Sequence, residues 1–311
     1  MYHKVYRAAC FCCINFTGYH RTDAILIGLD LALSGVCSMT ASYEGQYPIE
    51  SRLGEIERLH IQGASMAPET ENMLDLIGVG DGWVCLDIGC GPRGITDILS
   101  KRVGPKGRVV GLDRNAAFLG HARASADDNT EFLLGDAYSS DLSPDSFDLV
   151  HMRFVASTAG NVERLLSEAI RITRPGGVVA LQEPDASSLN CYPPHPAWDK
   201  LKLALIGAFS GVGADLQLAS RLYWVMKQTP LEDVQFRPFI IGVRSIDQMV
   251  DYLPSTVESL RSTVLKLGLI DEPELARVLA ECRAHLAKPE TAFTMYTVAQ
   301  VWGTKAGERT V

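Results

Sequence analysis

The chain has 311 residues, with 29 lysines and arginines against 37 aspartates and glutamates, giving a formal net charge of −8. Hydrophobic residues make up 47% and charged residues 21%, which excludes a disordered, collagenous or coiled-coil molecule. An acidic chain lacks the basic face that a dedicated nucleic-acid binder needs, and no run of about 20 apolar residues suggests a membrane span.

Four of the eight cysteines (Cys10, Cys12, Cys13 and Cys37) fall before residue 40, and the rest are scattered. That spacing is no disulfide framework, and the Cys10/Cys13 pair lacks the second ligand pair of a zinc site, so no metal is expected. The apolar run 24–36 is interrupted by Asp30 and preceded by Asp23, which argues against a signal peptide. Met39 opens a better-patterned segment, and residues 1–38 are expected to be a dispensable extension of a cytoplasmic protein.

From residue 49 the periodicity predicts a helix over 49–61 and a second one around 73–77, closed by Gly78 and Gly80. Short apolar runs predict strands over 83–88, 107–113, 131–134, 147–151 and 178–182, with helices over 95–103, 116–126 and 162–170 between them. Alternation of this kind means a parallel, doubly wound α/β sheet. Beyond Glu183 a proline-rich stretch precedes helical patterns over 198–209 and 216–227. Two further strands are expected over 234–243 and 293–302, with helical pattern between them. The expected divisions are an extension over 1–42, a helical lid over 43–80, a cofactor core over 81–184, a cap insertion over 185–230, and a part over 231–311 that completes the sheet.

The loop after the first strand reads Asp87-Ile88-Gly89-Cys90-Gly91-Pro92-Arg93-Gly94, and Asp113 ends the second strand. Glycines that let the backbone approach a ligand, followed by a strand-end acid for ribose hydroxyls, form the dinucleotide fingerprint. An NAD-dependent oxidoreductase is therefore one reading. Asp87 would repel a pyrophosphate, however, and would favour the ammonium and sulfonium of S-adenosylmethionine. The pair Asp136-Ala137 after the third strand can accept from an adenine amino group and donate a backbone N–H to the ring.

The segments VCLDIGCGPRG (84–94), GLDRN (111–115), GDA (135–137), FDLVHMRFV (147–155) and RPGGVVALQEPD (174–185) resemble the class I S-adenosylmethionine-dependent methyltransferases. ERLHIQ (57–62), LQEPD (181–185) and YTVAQVWG (296–303) are similar to the subset acting on small molecules of secondary, quinone and indole metabolism. The resemblance implies a seven-stranded Rossmann-like sheet whose last strand is antiparallel. It assigns Asp87, Gly89 and Gly91 to the methionine end of the cofactor, Asp113 to ribose, and Asp136 and Ala137 to adenine; Cys90 and Arg114 are further cofactor-binding candidates. Arg93 stands where many members have a third alternate glycine.

Methyl transfer is an in-line displacement that needs alignment, water exclusion and, for some acceptors, a base. His151 and Glu183, at strand ends by the crevice, are the candidate catalytic residues. Arg153 could bind the methionine carboxylate or a substrate anion, and Arg58 and Gln62, spaced i, i+4, could touch the cofactor. Tyr43 and Tyr47 on the lid and His195 and Trp198 on the cap are substrate candidates. The excess of apolar residues in the cap predicts a hydrophobic small-molecule acceptor, methylated at O, N or C. A cofactor-binding regulator without catalysis is the other reading, and the apolar first forty residues and helical lid could support a homodimer.

Overall fold

The computed structural model of the protein describes residues 53–307. Its first element, α1 (Leu53–Ile77), is one continuous helix rather than the two expected. Pro68 lies inside it and forgoes one helical hydrogen bond. The helix nevertheless runs on, because Met66, Thr70, Met73 and Leu74 on either side of the proline are completely buried.

The cofactor half then alternates β1 (Val84–Ile88), α2 (Thr96–Val103), β2 (Arg108–Asp113), α3 (Ala116–Arg123), β3 (Thr130–Leu134) and β4 (Phe147–Arg153). A single turn, α4 (Ala156–Ala159), and α5 (Val162–Ile172) lead into β5 (Thr173–Asp185). Local chemistry sets the helix starts: Asn115 accepts from the amides of Ala117 and Phe118, and Asn161 accepts from that of Arg164. The Arg174-Pro175-Gly176-Gly177 segment lies inside β5 and is absorbed by a register shift against β4.

β6 (Asn190–Tyr192), α6 (Pro196–Ser210), α7 (Ala219–Lys227), β7 (Leu231–Phe239), β8 (Gly242–Arg244), α8 (Tyr252–Ser259), α9 (Arg261–Lys266), α10 (Glu272–Leu286), β9 (Ala292–Thr294) and β10 (Thr297–Lys305) complete the described chain. The main sheet has seven strands in the order β3-β2-β1-β4-β5-β10-β7. β1 to β5 pair in parallel, and β10, the last strand, is antiparallel to both β5 and β7. This is the Rossmann-like architecture with its antiparallel final strand.

Side chains alternate across the sheet. Cys85, Val109, Leu149, Val178 and Ala180 face α1 and α2, while Leu86, Val110, Val150, Val179, Leu181 and Val301 face α5 and α7. The cap is built differently from the single insertion expected. Its core joins 186–216 with 239–298, including Trp198, Leu201, Leu253, Val257, Leu279 and Phe293. α7 packs instead on the main sheet through Leu222, Val225 and Met226. Proximity in sequence suggested one cap segment, but α7 carries an apolar face that only the sheet is placed to bury. The strands expected over 234–243 and 293–302 are each divided, and β8 and β9 belong to a separate three-stranded sheet with β6.

Candidate active site

In this sheet the connections run in opposite directions from β1 and β4, and that switch point opens a crevice at the carboxyl ends of the strands. The loop after β1 turns through Gly89, Gly91 and Gly94 at φ +66°, +58° and +57°. Gly94 has a second reason to be glycine: a Cβ there would sit 2.1 Å from Oδ2 of Asp87. That oxygen accepts from the amide of Ile95 at 2.9 Å, while Oδ1 lies 2.7 Å from Nδ1 of His151. Asp87 is thus the staple that closes the loop. The amides of Gly89 and Cys90 both donate to the carbonyl of Leu112 at the end of β2. Asp113 accepts from the amide of Gly91 through Oδ2 and from that of Asn115 through Oδ1, both at 2.8 Å. Burial raises its carboxyl pKa, and the two amides oppose that rise.

A cavity of about 780 Å³ occupies the crevice. Gly89, Cys90, Gly91, Asp113, Arg114, Asp136 and Ala137 line one end, together with Asp87. Phe154, Leu205, Phe209, Leu216, Tyr252 and Tyr296 line the other, while Arg58 and Gln62 reach it from α1. The volume is in the upper range for small-molecule sites and leaves room for two ligands side by side. Arg58 grips Glu55 through two hydrogen bonds of 2.6 and 2.7 Å and lies over the Tyr252 ring. Arg153 also lines the cavity: Nη2 donates to the carbonyl of Gly94 at 3.2 Å, and Nη1 is buried with no hydrogen-bond partner. Burial lowers its pKa.

Several residues expected to act on the substrate sit elsewhere in the structure. His151 is fully buried and does not line the cavity: Nδ1 meets Asp87 and Nε2 lies 3.0 Å from Nε2 of Gln182. It shares a strand face with Arg153 but stops two residues short of the mouth. Glu183 points to the opposite face of β5, where its carboxylate accepts from the amides of Val155, Ala156 and Ser157 and caps α4. Neither residue is placed to take a proton from an acceptor. His195 caps α6, accepting from the amide of Ala197 through Nδ1, and stacks on His285 at 4.6 Å. Trp198 is buried against Phe293. Both face the cap core, which buries rings more readily than it exposes them. Tyr43 and Tyr47 lie outside the described residues, as do the four N-terminal cysteines and Met39. Tyr252 and Tyr296 join the site without having been expected there; Tyr296 opens YTVAQVWG, and Tyr252 carried no signal in the sequence.

Burial pushes the Glu183 carboxyl up to about 7, against the amides that hold it down. An acid whose folded pKa lies above its ordinary value of 4.5 contributes stability below 4.5 that is lost as pH rises through 7. Unfolding free energy is therefore expected to drift down by up to ~3 kcal/mol between pH 4.5 and 7.5. The Glu183→Gln variant should lack that component, and denaturant melts of both proteins across that range would show parallel curves if the idea is wrong.

Residues 86–181 match the model of a methyltransferase domain. That stretch is a methyltransferase domain. Of the two cofactors that the glycine loop left open, S-adenosylmethionine, a methyl donor, is therefore the one this domain takes. The chain is 34% identical over 121 residues to a 2-phytyl-1,4-naphthoquinone methyltransferase of Thermosynechococcus vestitus, covering 37% of this chain and 54% of that protein. It is 34% identical over 130 residues to a demethylmenaquinone methyltransferase of Lactococcus lactis, covering 40% and 50%. A protein of transposon Tn4556 in Streptomyces fradiae is 36% identical over 119 residues, covering 38% and 34%. The matches thus span about a third to a half of the curated relatives' length. In fold, the chain is similar to the YcgJ protein of Bacillus subtilis, with TM-score 0.51 and 17% identity over 76% of this chain and 98% of that one. A protein from Anabaena variabilis gives 0.55 and 15% over 76% and 97%. Among the described residues no helix is long and apolar enough to cross a membrane, and no three His, Cys, Asp or Glu side chains are placed to hold a metal.

Proposed function

We propose that the whole protein is a cytoplasmic S-adenosylmethionine-dependent methyltransferase that modifies a small, largely hydrophobic acceptor at O, N or C. The observation that carries this reading is the buried, unpartnered Nη1 of Arg153 beside a glycine loop that leaves room for a ligand. A charged donor left without an acceptor is costly unless a ligand supplies one, and the carboxylate of a methionine moiety fits it. Asp113 retains lone pairs for ribose hydroxyls, and Asp136 with Ala137 stands beside the same end of the cavity for an adenine ring. Bound there, S-adenosylmethionine supplies an electrophilic methyl group. Phe154, Leu205, Phe209 and Leu216 exclude water from the acceptor's place and orient it by shape. The quinone methyltransferases among the relatives support an apolar, ring-bearing acceptor, and the four buried free thiols of the described residues agree with a reducing compartment.

Calorimetric titration with S-adenosylhomocysteine and, separately, NAD tests the cofactor reading: micromolar affinity is expected for the former alone. Loss of the Asp113 carboxylate in Asp113→Ala should weaken S-adenosylhomocysteine binding about 10- to 100-fold. Unchanged affinity in that variant would remove Asp113 from the site.

A further inference from the structure

Proton accounting at the apolar end of the cavity identifies a donor with no acceptor among the described residues. Arg58 Nη1 donates to Gln62 at 3.3 Å, and because arginine only donates, the atom facing it is Oε1. The amide nitrogen of Gln62 therefore faces the tyrosines, donating to the Tyr296 hydroxyl at 2.6 Å and, with its second proton, to the Tyr252 hydroxyl at 3.4 Å. The two hydroxyls lie 2.8 Å apart, so one donates to the other. Three oxygens and nitrogens then hold four protons, of which three are placed. One hydroxyl proton is left over, on whichever tyrosine receives its neighbour's.

Both tyrosines are nearly buried, both line the cavity, and both belong to the cap-side core with Leu205, Phe209 and Leu216 rather than to the glycine-loop wall. The Phe154 ring packs edge-on against Tyr296 at 5.5 Å and fixes it from the β4 side. A buried hydroxyl proton in apolar surroundings needs a partner. We infer that Tyr252 and Tyr296 select an acceptor molecule that presents a hydrogen-bond-accepting oxygen, such as a ring ketone or phenolic oxygen, on an otherwise apolar frame. They are positioning and specificity residues: they hold the acceptor's oxygen and so aim its neighbouring atom along the crevice. Desolvation, with the Tyr252 hydroxyl beside it, holds the Tyr296 pKa well above its ordinary value.

This inference rests on the acceptor chamber proposed above, and the test separates the two. Protein saturated with S-adenosylhomocysteine is titrated with 1-tetralone, whose one polar atom is an acceptor oxygen, and with tetralin, the same frame without it. Tetralone is expected to bind about tenfold more tightly to the unaltered protein. In the Tyr252→Phe/Tyr296→Phe double variant that preference should fall below about twofold with S-adenosylhomocysteine affinity unchanged. Either single variant should keep part of the preference, because the remaining hydroxyl still has a free proton. Adding Gln62→Leu to the double variant removes the amide left without acceptors and gives a second background should the double variant fold poorly. Equal binding of the two probes to the unaltered protein would overturn the inference, as would a preference that survives in the double variant or binding of neither probe. Loss of S-adenosylhomocysteine binding in the variants would overturn it differently, by placing the tyrosines at the cofactor's carboxylate.

Discussion

Replacing Arg153 by methionine is expected to cost about 100-fold in S-adenosylhomocysteine affinity while leaving the protein as stable as before, or more so. The two effects have one cause. Without ligand, Arg153 is a guanidinium whose Nη1 is buried without a partner, and burial already lowers its pKa. Its hydrogen bond to the carbonyl of Gly94 is long at 3.2 Å. A buried cation in that condition destabilises the fold, and an apolar side chain of similar length relieves it. With a carboxylate present the same nitrogen gains a charge-assisted bond worth roughly 1.5–3 kcal/mol, which is most of the predicted loss in affinity. Arg153→Lys should fall between, because a point charge cannot both keep the Gly94 contact and reach the ligand. Calorimetry and thermal melts on the same samples decide the matter. A methionine variant that binds S-adenosylhomocysteine like the parent would remove Arg153 from the cofactor site.

What could be read from the sequence follows from how local each feature is. The glycines of 89–94, Asp113 at the end of β2 and the Asp136-Ala137 pair after β3 owe their positions to the chain segment around them, and all of them line the cavity. The five parallel strands were legible for the same reason, each holding a short apolar run, whereas the antiparallel last strand was implied only by the family resemblance. Residues whose place depends on which face of a strand looks where were read less well. His151 and Arg153 share a face of β4, yet His151 is fully buried between Asp87 and Gln182 while Arg153, two residues on, lines the cavity. Glu183 faces the other way from Gln182, and its three amide donors come from a turn that no periodicity announces. Tyr252 and Tyr296 meet across 44 residues through the cap core, a juxtaposition only the tertiary fold creates.

His151 itself is expected to carry its proton on Nδ1, and its orientation is fixed from the far edge of the sheet. Arg237 Nη1, a donor only, reaches Oε1 of Gln300 at 2.7 Å, so Gln300 turns its amide nitrogen toward Oε1 of Gln182 at 2.9 Å. Gln182 then turns its own nitrogen toward Nε2 of His151, which must accept. The remaining ring nitrogen donates to Asp87, whose second oxygen closes the glycine loop on Ile95. Gln300, Gln182 and His151 are fully buried, and Arg237, Gln300, Gln182, His151 and Asp87 stand on five neighbouring strands, β7, β10, β5, β4 and β1. Every polarity in this row follows from the arginine at its end, so the staple that shapes the cofactor loop is held by residues outside the crevice. Gln182→Leu leaves the His151 acceptor empty and removes the carbonyl that takes the Gln300 amide. Its expected cost is ~2–4 kcal/mol of stability, with S-adenosylhomocysteine binding about tenfold weaker as Asp87 loosens. Nitrogen NMR of histidine-labelled protein reads the tautomer directly. A neutral His151 protonated on Nε2 in the unaltered protein would break the row at its centre, and the loop's closure would then have to rest on Asp87 and Ile95 alone.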